Sequence, residues 1–248
     1  MNFKLEICVD SVQSAKDAQD AGASRVELCA NLPEGGTTPG YGTIVMARKH
    51  IGIALNVLIR PRPGDFICSA LEFDIMKRDI EMCRNSGVDG IVIGILKPDG
   101  TIDTASITEL AELAYPMPVT FHRAFDMCRD PHEGLEEIIR SGAVRLLTSG
   151  QKNSAMEGAL LIASLVKEAG DRIIIMPGSG INEGNIEAIA RITNAGEFHL
   201  SARKKVDSEM IFRIEGITMG NSPGNNEYMT KVADPEKIKR VVKILEAI

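Results

Sequence analysis

No stretch of this chain is apolar for long enough to span a bilayer, so no membrane partner is expected. No excess of positive charge is present either. The net charge is −6, which disfavours nucleic-acid binding by charge alone. The five cysteines, Cys8, Cys29, Cys68, Cys83 and Cys128, are odd in number and widely spaced, and no Cys-x-x-Cys occurs. The chain runs from Met1 straight into a strand pattern without a leader, so reduced thiols in the cytoplasm are the expectation. No glycine-rich phosphate loop follows the first strand, where Val9-Asp10-Ser11 stands instead. No low-complexity linker divides the 248 residues.

What is present is an ordinary globular composition, 44% apolar and 25% charged, with ample material for a core. Strand-like and helix-like segments alternate from end to end. Strands are expected at 5–9, 25–29, 54–59, 90–96, 119–122, 144–148, 172–176 and 197–201. Helices are punctuated by Ser11 and Gly22, by Gly87 after a helix over 70–86, by Asp103, by Asp130-Pro131 and Gly142, and by Asp234-Pro235. Strict alternation implies parallel strands with right-handed crossovers. Eight such units in about 250 residues predict a single-domain (β/α)8 TIM-type barrel spanning 1–248. A doubly wound open sheet is the alternative. An irregular excursion over about 203–233, rich in Gly and Asn at 216–226, is expected before the last helix, either as a lid or as an ordered insertion.

In a barrel of this kind chemistry sits at the C-terminal ends of the strands. Alternation along each strand turns Leu5, Ile7, Val9, Val26, Leu28, Val57, Ile59, Val119 and Phe121 toward the helices. It leaves Glu6, Cys8, Glu27, Cys29, Asn56, Leu58, Arg60, Thr120, His122 and Thr148 inward, with His199 and Ser201 as further candidates. The segment Val119 to Asp126 concentrates three ionisable side chains at one strand end. His122 is its candidate for chemistry, and Arg123 with Asp126 is read as a rim pair. Buried glutamates need partners. One reading is a structural network of Glu6 and Glu27 with Arg60 and Arg62. The other is a site in which Glu6, Glu27, Arg60 and His122 are catalytic candidates.

The seventh unit ends Pro177-Gly178-Ser179-Gly180-Ile181-Asn182. Glycines there let backbone amides approach an anion, and a helix beginning at Asn182 would favour negative charge. Arg62, Thr148, Ser149, Gly178, Gly180 and Ser201 are the candidate anion-binding set. Cys8 and Cys29 lie on adjacent strands with matching parity, at a strand spacing of about 5 Å. They are either candidate Cu(I) ligands or two buried apolar thiols.

Several long segments resemble the CutC copper homeostasis family: Glu6-Ile7-Cys8, Gly22 through Cys29, Glu34 through Pro39, Ile59 through Phe66, Val119 through Asp126, and Leu146 through Gln151. The likeness covers roughly the first 200 residues, in order. It departs at Gly40, where the family has Ser after Thr-Pro, and at Ile67-Cys68-Ser69, where the family has Tyr-Ser. The resemblance implies a cytosolic TIM-type barrel, a homodimer or higher homo-oligomer, and a role in copper handling with copper on Cys8 and Cys29. The strand-end residues also admit a second class of function, an enzyme acting on a small anionic or phosphorylated metabolite. Isomerisation, aldol cleavage and hydrolysis all fit that class. No lysine lies inward at a strand end, which disfavours a Schiff-base aldolase.

Overall fold

A computed structural model describes residues 3–217, 219 and 227–248. Eight parallel strands form a nearly closed barrel: β1 (Lys4–Val9), β2 (Arg25–Leu28), β3 (Ala54–Leu58), β4 (Gly90–Ile93), β5 (Val119–Phe121), β6 (Arg145–Thr148), β7 (Ile174–Pro177) and β8 (Glu197–Leu200). Each strand pairs with its sequence neighbour, and β8 returns to pair with β1. The helices between them are α1 (Val12–Asp20), α2 (Tyr41–His50), α3 (Ala70–Asn85), α4 (Thr104–Ala114), α5 (Pro131–Arg140), α6 (Ala159–Ala169), α7 (Ile186–Thr193) and, last, α8 (Pro235–Glu246). The TIM-type architecture is therefore as the alternation predicts.

Local chemistry fixes several helix ends. Ser11, Asp103, Asp130 and Asp234 each accept from backbone N–H groups of the first turn, and Ser69 with Glu72 closes a capping box on α3. Helix α7 departs from expectation. Its regular part starts at Ile186, because the Asn182 side chain accepts from the Gly184 N–H and so sets a turn ahead of it.

The main core lies between sheet and helices. It holds Leu5, Ile7, Val9, Val26, Leu28, Val57, Ile59, Val119 and Phe121, the outward set. The barrel interior is different. Its aliphatic content near the mouth is a small separate cluster of Cys8, Cys29, Leu58 and Val92. Below that cluster the interior is ionic.

The excursion after β8 is more regular than expected. Arg203–Asp207 (β9) and Met229–Ala233 (β10) form an antiparallel ribbon, and Lys237 Nζ on α8 donates to the Arg203 carbonyl at 2.9 Å. Of the Gly- and Asn-rich stretch 216–226, positions 218 and 220–226 lie outside the described residues.

Candidate functional site

The ionic layer sets the site's foundation. Arg25 and Glu27 share a face of β2, and Glu197 and His199 share a face of β8, so both pairs point into the barrel. Arg25 bridges Glu6 through Nε and Glu197 through Nη2, the latter at 2.7 Å. Arg145 Nε reaches the same Glu197 carboxylate at 2.7 Å, and its Nη1 donates to Thr120 Oγ1 at 3.2 Å. Asn56 Nδ2 adds a bond to Glu6 at 3.3 Å. The structural network is thus Glu6–Arg25–Glu197–Arg145, not the expected pairing of Glu6 and Glu27 with Arg60 and Arg62.

Arg25, Arg145 and Glu197 were missed by the reading of strand ends because they stand at strand beginnings. A signal was present. Gly22-Ala23-Ser24-Arg25 and Gly142-Ala143-Val144-Arg145 repeat one pattern, a glycine turn, an alanine and an arginine three residues on. Strand β6 also has the parity opposite to that expected. Arg145 and Leu147 face inward, while Leu146 belongs to the outer core. Thr148 therefore does not join the inward set.

His199 carries the network upward. Its Nδ1 lies 2.8 Å from Glu6 Oε1, and its Nε2 lies 3.8 Å from Glu27 Oε2. Cys8 Sγ and Cys29 Sγ are 3.8 Å apart, and Cys29 Sγ is 3.5 Å from Glu27 Oε2. Ligand atoms of Cys8, Glu27 and Cys29 all fall within 4.8 Å of one another. Parallel register explains the triangle: Cys8 is paired with Glu27, and Cys29 follows one position beyond the strand on the same side.

The charges in this cluster settle one another. Hydrogen bonding from the Cys29 thiol is the main influence bringing Cys8 down to about 5, against the opposing effect of burial and with help from His199. Donation to Cys8, together with burial, holds the Cys29 thiol well above its usual range. Burial, then the charge on Cys8, push Glu27 well upward. Burial alone would favour neutral His199, but the charge of Glu27 and hydrogen bonds to Cys8 and Glu6 outweigh it and raise the imidazole well above its ordinary value. Burial would likewise raise Glu6, yet the His199 hydrogen bond and the Arg25 charge bring it down to about 2.

Arg60 and His122 reach the mouth from just beyond the ends of β3 and β5. Both line, with Cys8, Glu27, Cys29 and His199, a cavity of about 130 Å³. Arg60 donates through Nη1 to the Gly36 carbonyl at 2.8 Å and through Nη2 to the Gly64 carbonyl at 2.7 Å, and stacks over Phe66 at 4.9 Å. Gly36 serves this arrangement at φ +90°, where a Cβ would come 2.7 Å from Leu58 Cδ2. Strand β5 ends at Phe121, which frees His122 to cap the following turn: its Nδ1 accepts from the Ala124 N–H at 3.1 Å. That fixes the proton on Nε2. Burial, with the Arg60 charge, drives this imidazole down to about 3, so it is neutral.

The remaining candidates are placed differently. Asp126 Oδ1 accepts from Thr148 Oγ1 at 2.6 Å and from the Ser149 and Gln151 N–H groups at 3.0 and 3.1 Å, while Oδ2 takes Ser149 Oγ at 2.8 Å and Arg123 Nε at 2.7 Å. The donors of Thr148 and Ser149 are thus taken by a carboxylate of the chain itself. Arg62 is half-exposed and paired with Asp65 and Glu72, outside the mouth. Gly178 sits against Leu147 and His199, where a Cβ would come 2.5 Å from Leu147 Cδ1. Gly180 and exposed Ser201 line an outer cleft of about 540 Å³ with Arg123, Arg203, Lys204 and Lys231. That cleft shares Cys8 and His199 with the inner cavity. A separate cavity of about 620 Å³ is lined by Lys4, Val144 and Glu197 at the strand beginnings, the face that serves stability in barrels.

Comparison with known proteins points one way. The CutC family model matches residues 3–204. A CutC family protein of Chromobacterium violaceum is 50% identical over 99% of both chains. The human copper homeostasis protein cutC homolog is 45% identical over 99% of this chain and 90% of its own. The crystal structure of CutC from Streptococcus agalactiae superposes with a TM-score of 0.77 at 35% identity, covering 80% of this chain and 98% of that one. A thiamine phosphate pyrophosphorylase from Pyrococcus furiosus, with a TM-score of 0.61 at 14% identity, shares the fold alone. On its family model and its relatives, the chain belongs to the CutC family.

Proposed function

We propose that this protein handles copper by holding Cu(I) between the sulfurs of Cys8 and Cys29 at the mouth of the barrel. The observation that carries this reading is the 3.8 Å approach of two buried, unbridged thiols beside Glu27. Soft thiolate ligands select Cu(I) over harder ions. The donor set fits. Cys8 is held as a thiolate near neutrality, while Cys29 gives up its proton as the metal arrives. Leu32, Leu58 and Val92 surround the sulfurs and limit water around the bound ion. Arrival and release run through the outer cleft, to which Cys8 is open.

Competition of the reduced protein against a chromophoric Cu(I) chelator tests this. The expected result is one equivalent bound by the parent protein, with at least hundredfold weaker binding in Cys8→Ser and in Cys29→Ser, and parent-like binding in Cys68→Ser. Parent-like affinity in both site variants would remove the reading.

Relatives named for copper homeostasis support the role, and free thiols without a disulfide suit the cytoplasm. Among the described residues no helix is long and apolar enough to cross a membrane. Homo-oligomeric assembly belongs to the same reading. Ile211 is fully exposed and Phe212 is 74% exposed, an apolar surface that a second copy would cover. Sedimentation of Ile211→Ser beside the parent chain tests it; equal masses at every concentration count against this surface.

A further inference from the structure

Arg60 and His122 are not among the copper ligands proposed above, yet they carry an electrostatic debt. Arg60 is 8% exposed and makes no ion pair among the described residues; its guanidinium binds backbone carbonyls and lies over the Phe66 ring. A buried cation without a counter-charge is costly. Its Nε–H has no hydrogen-bond partner among the described residues. His122, 6% exposed, is in the same condition: Nδ1 is committed to the Ala124 N–H, and the Nε2–H has no partner among the described residues. Buried donors are almost always satisfied, so two orphans lining one small cavity point to a partner that binds there. The other arginine at the mouth, Arg123, is already paired with Asp126 at 2.7 Å and does not share this condition.

We infer that the 130 Å³ cavity is a binding site for the carboxylate group of a small organic acid, held by Arg60 Nε and His122 Nε2. The class follows from counting donors. Of the five N–H groups of Arg60, both on Nη1 go to the Glu34 and Gly36 carbonyls and one on Nη2 goes to Gly64, so the arginine has its Nε–H and one Nη2–H left. Neutral His122 offers one more. Three donors and one unpaired positive charge suit the two oxygens of a monoanionic carboxylate, each of which can accept more than one hydrogen bond. A phosphate dianion would bring a second negative charge against one unpaired arginine and against the side chains of Leu58, Phe66 and Leu147, which also line the cavity. The carbon skeleton of such an acid would extend toward Cys8, Glu27 and His199 on the facing wall. Its donors are different residues on different strands from the thiols, although both groups line the same cavity.

The test uses the full chain, reduced and metal-free, titrated by calorimetry with carboxylic acids of two to four carbons and, separately, with inorganic phosphate. The expected result is saturable binding of at least one carboxylate, with phosphate binding weaker. Replacement His122→Asn keeps an acceptor for the Ala124 N–H but withdraws the outer donor. It should weaken that carboxylate about ten- to hundredfold, the range for one hydrogen bond to a charged group. Arg60→Lys should weaken it similarly, and Cys68→Ser, outside the cavity, should leave it unchanged. Should Arg60→Lys fail to fold, His122→Asn alone decides. No saturable carboxylate binding by the parent protein, tighter binding of phosphate, or parent-like binding in His122→Asn would each overturn the inference. Loss of carboxylate binding in His122→Asn with Cu(I) binding intact separates the two sites.

Discussion

His199 and Glu6 meet at 2.8 Å between Nδ1 and Oε1, and this contact joins the buried ion network to the thiol cluster above it. Glu6 is anchored by Arg25 and Asn56, so it fixes the imidazole ring and favours its charged form. The other ring nitrogen then faces Glu27 at 3.8 Å and contributes to the thiolate character of Cys8. Replacement His199→Asn should therefore raise the Cys8 titration from about 5, by about one to two units, because an opposite charge has been withdrawn. Thiolate ultraviolet absorbance followed against pH reads this, with Cys8→Ser identifying the sulfur. An unshifted curve in His199→Asn would assign the thiolate to Cys29 donation alone.

The Glu6 shift also predicts how stability varies in acid. The unfolded chain takes up this proton near pH 4.5, whereas the folded chain resists until about 2. Between those values the unfolded state binds more protons, so stability falls as pH falls. The contribution is fully present above about pH 4.5 and amounts to about 3 kcal/mol before it is lost. His199 acts with the opposite sign: its raised value stabilises the fold below about pH 6.5, and that part is lost as pH climbs through the folded value. Urea unfolding from pH 3 to 9 should show a fall at the acid end that is shallower in Glu6→Gln, and a decline on the alkaline side that is absent in His199→Asn.

Within the network, Arg25 is the residue whose removal should cost most. It touches Glu6 and Glu197, and Arg25→Met leaves Glu6 dependent on His199 and Asn56 and leaves Glu197 dependent on Arg145. Breaking a buried pair from one side costs about 3–5 kcal/mol, because the stranded charge is not rehydrated. Adding Glu6→Gln to Arg25→Met should recover part of that loss, since the stranded charge goes with it. Denaturant midpoints of the single and double variants measure this. A double variant less stable than the sum of the singles would show that Glu6 contributes chiefly through His199.

The barrel was legible because hydrophobic alternation over strands such as Leu5 to Val9 and Val26 to Leu28 survives folding as the sheet–helix core. The same parity placed Glu6, Cys8, Glu27, Cys29, Arg60 and His122 inward, and the structure brings five of these six around one cavity, with Glu6 beneath. Partner choice was not legible. Parity says that Glu6 and Arg60 both point inward, but not that they sit in different layers: Arg60 lies beyond the end of β3 and is drawn up to the Gly36 and Gly64 carbonyls, while Arg25 enters from the strand's beginning. The hydrogen-bond partner of Thr148 and Ser149 was not legible for a similar reason. Asp126, only a few residues past β5 in sequence, folds back across β6 to take their hydrogens, a contact that spacing along the chain does not announce.

Gly94 offers a way to disturb one wall of the mouth without touching the other. It follows β4, and a Cβ there would overlap the His122 ring at Cε1 and Nδ1 and approach Ala124 Cβ at 3.1 Å. The neighbours are buried and cannot yield freely, because His122 Nδ1 is tied to the Ala124 N–H and Phe66 packs against the ring at a centroid distance of 5.2 Å. Gly94→Ala must therefore move the His122 imidazole within the cavity that it lines with Arg60. Overpacking of this sort costs about 1–3 kcal/mol of stability, small enough for the barrel to remain folded. Carboxylate binding should weaken at least tenfold. Cu(I) affinity should stay within about threefold of the parent, because Cys8 and Cys29 lie on β1 and beyond β2, and none of their contacts passes through His122. Calorimetry and chelator competition on the same preparation read both quantities. Equal weakening of the two would mean that the walls act as one site, and an unchanged carboxylate affinity would mean that His122 is not the donor.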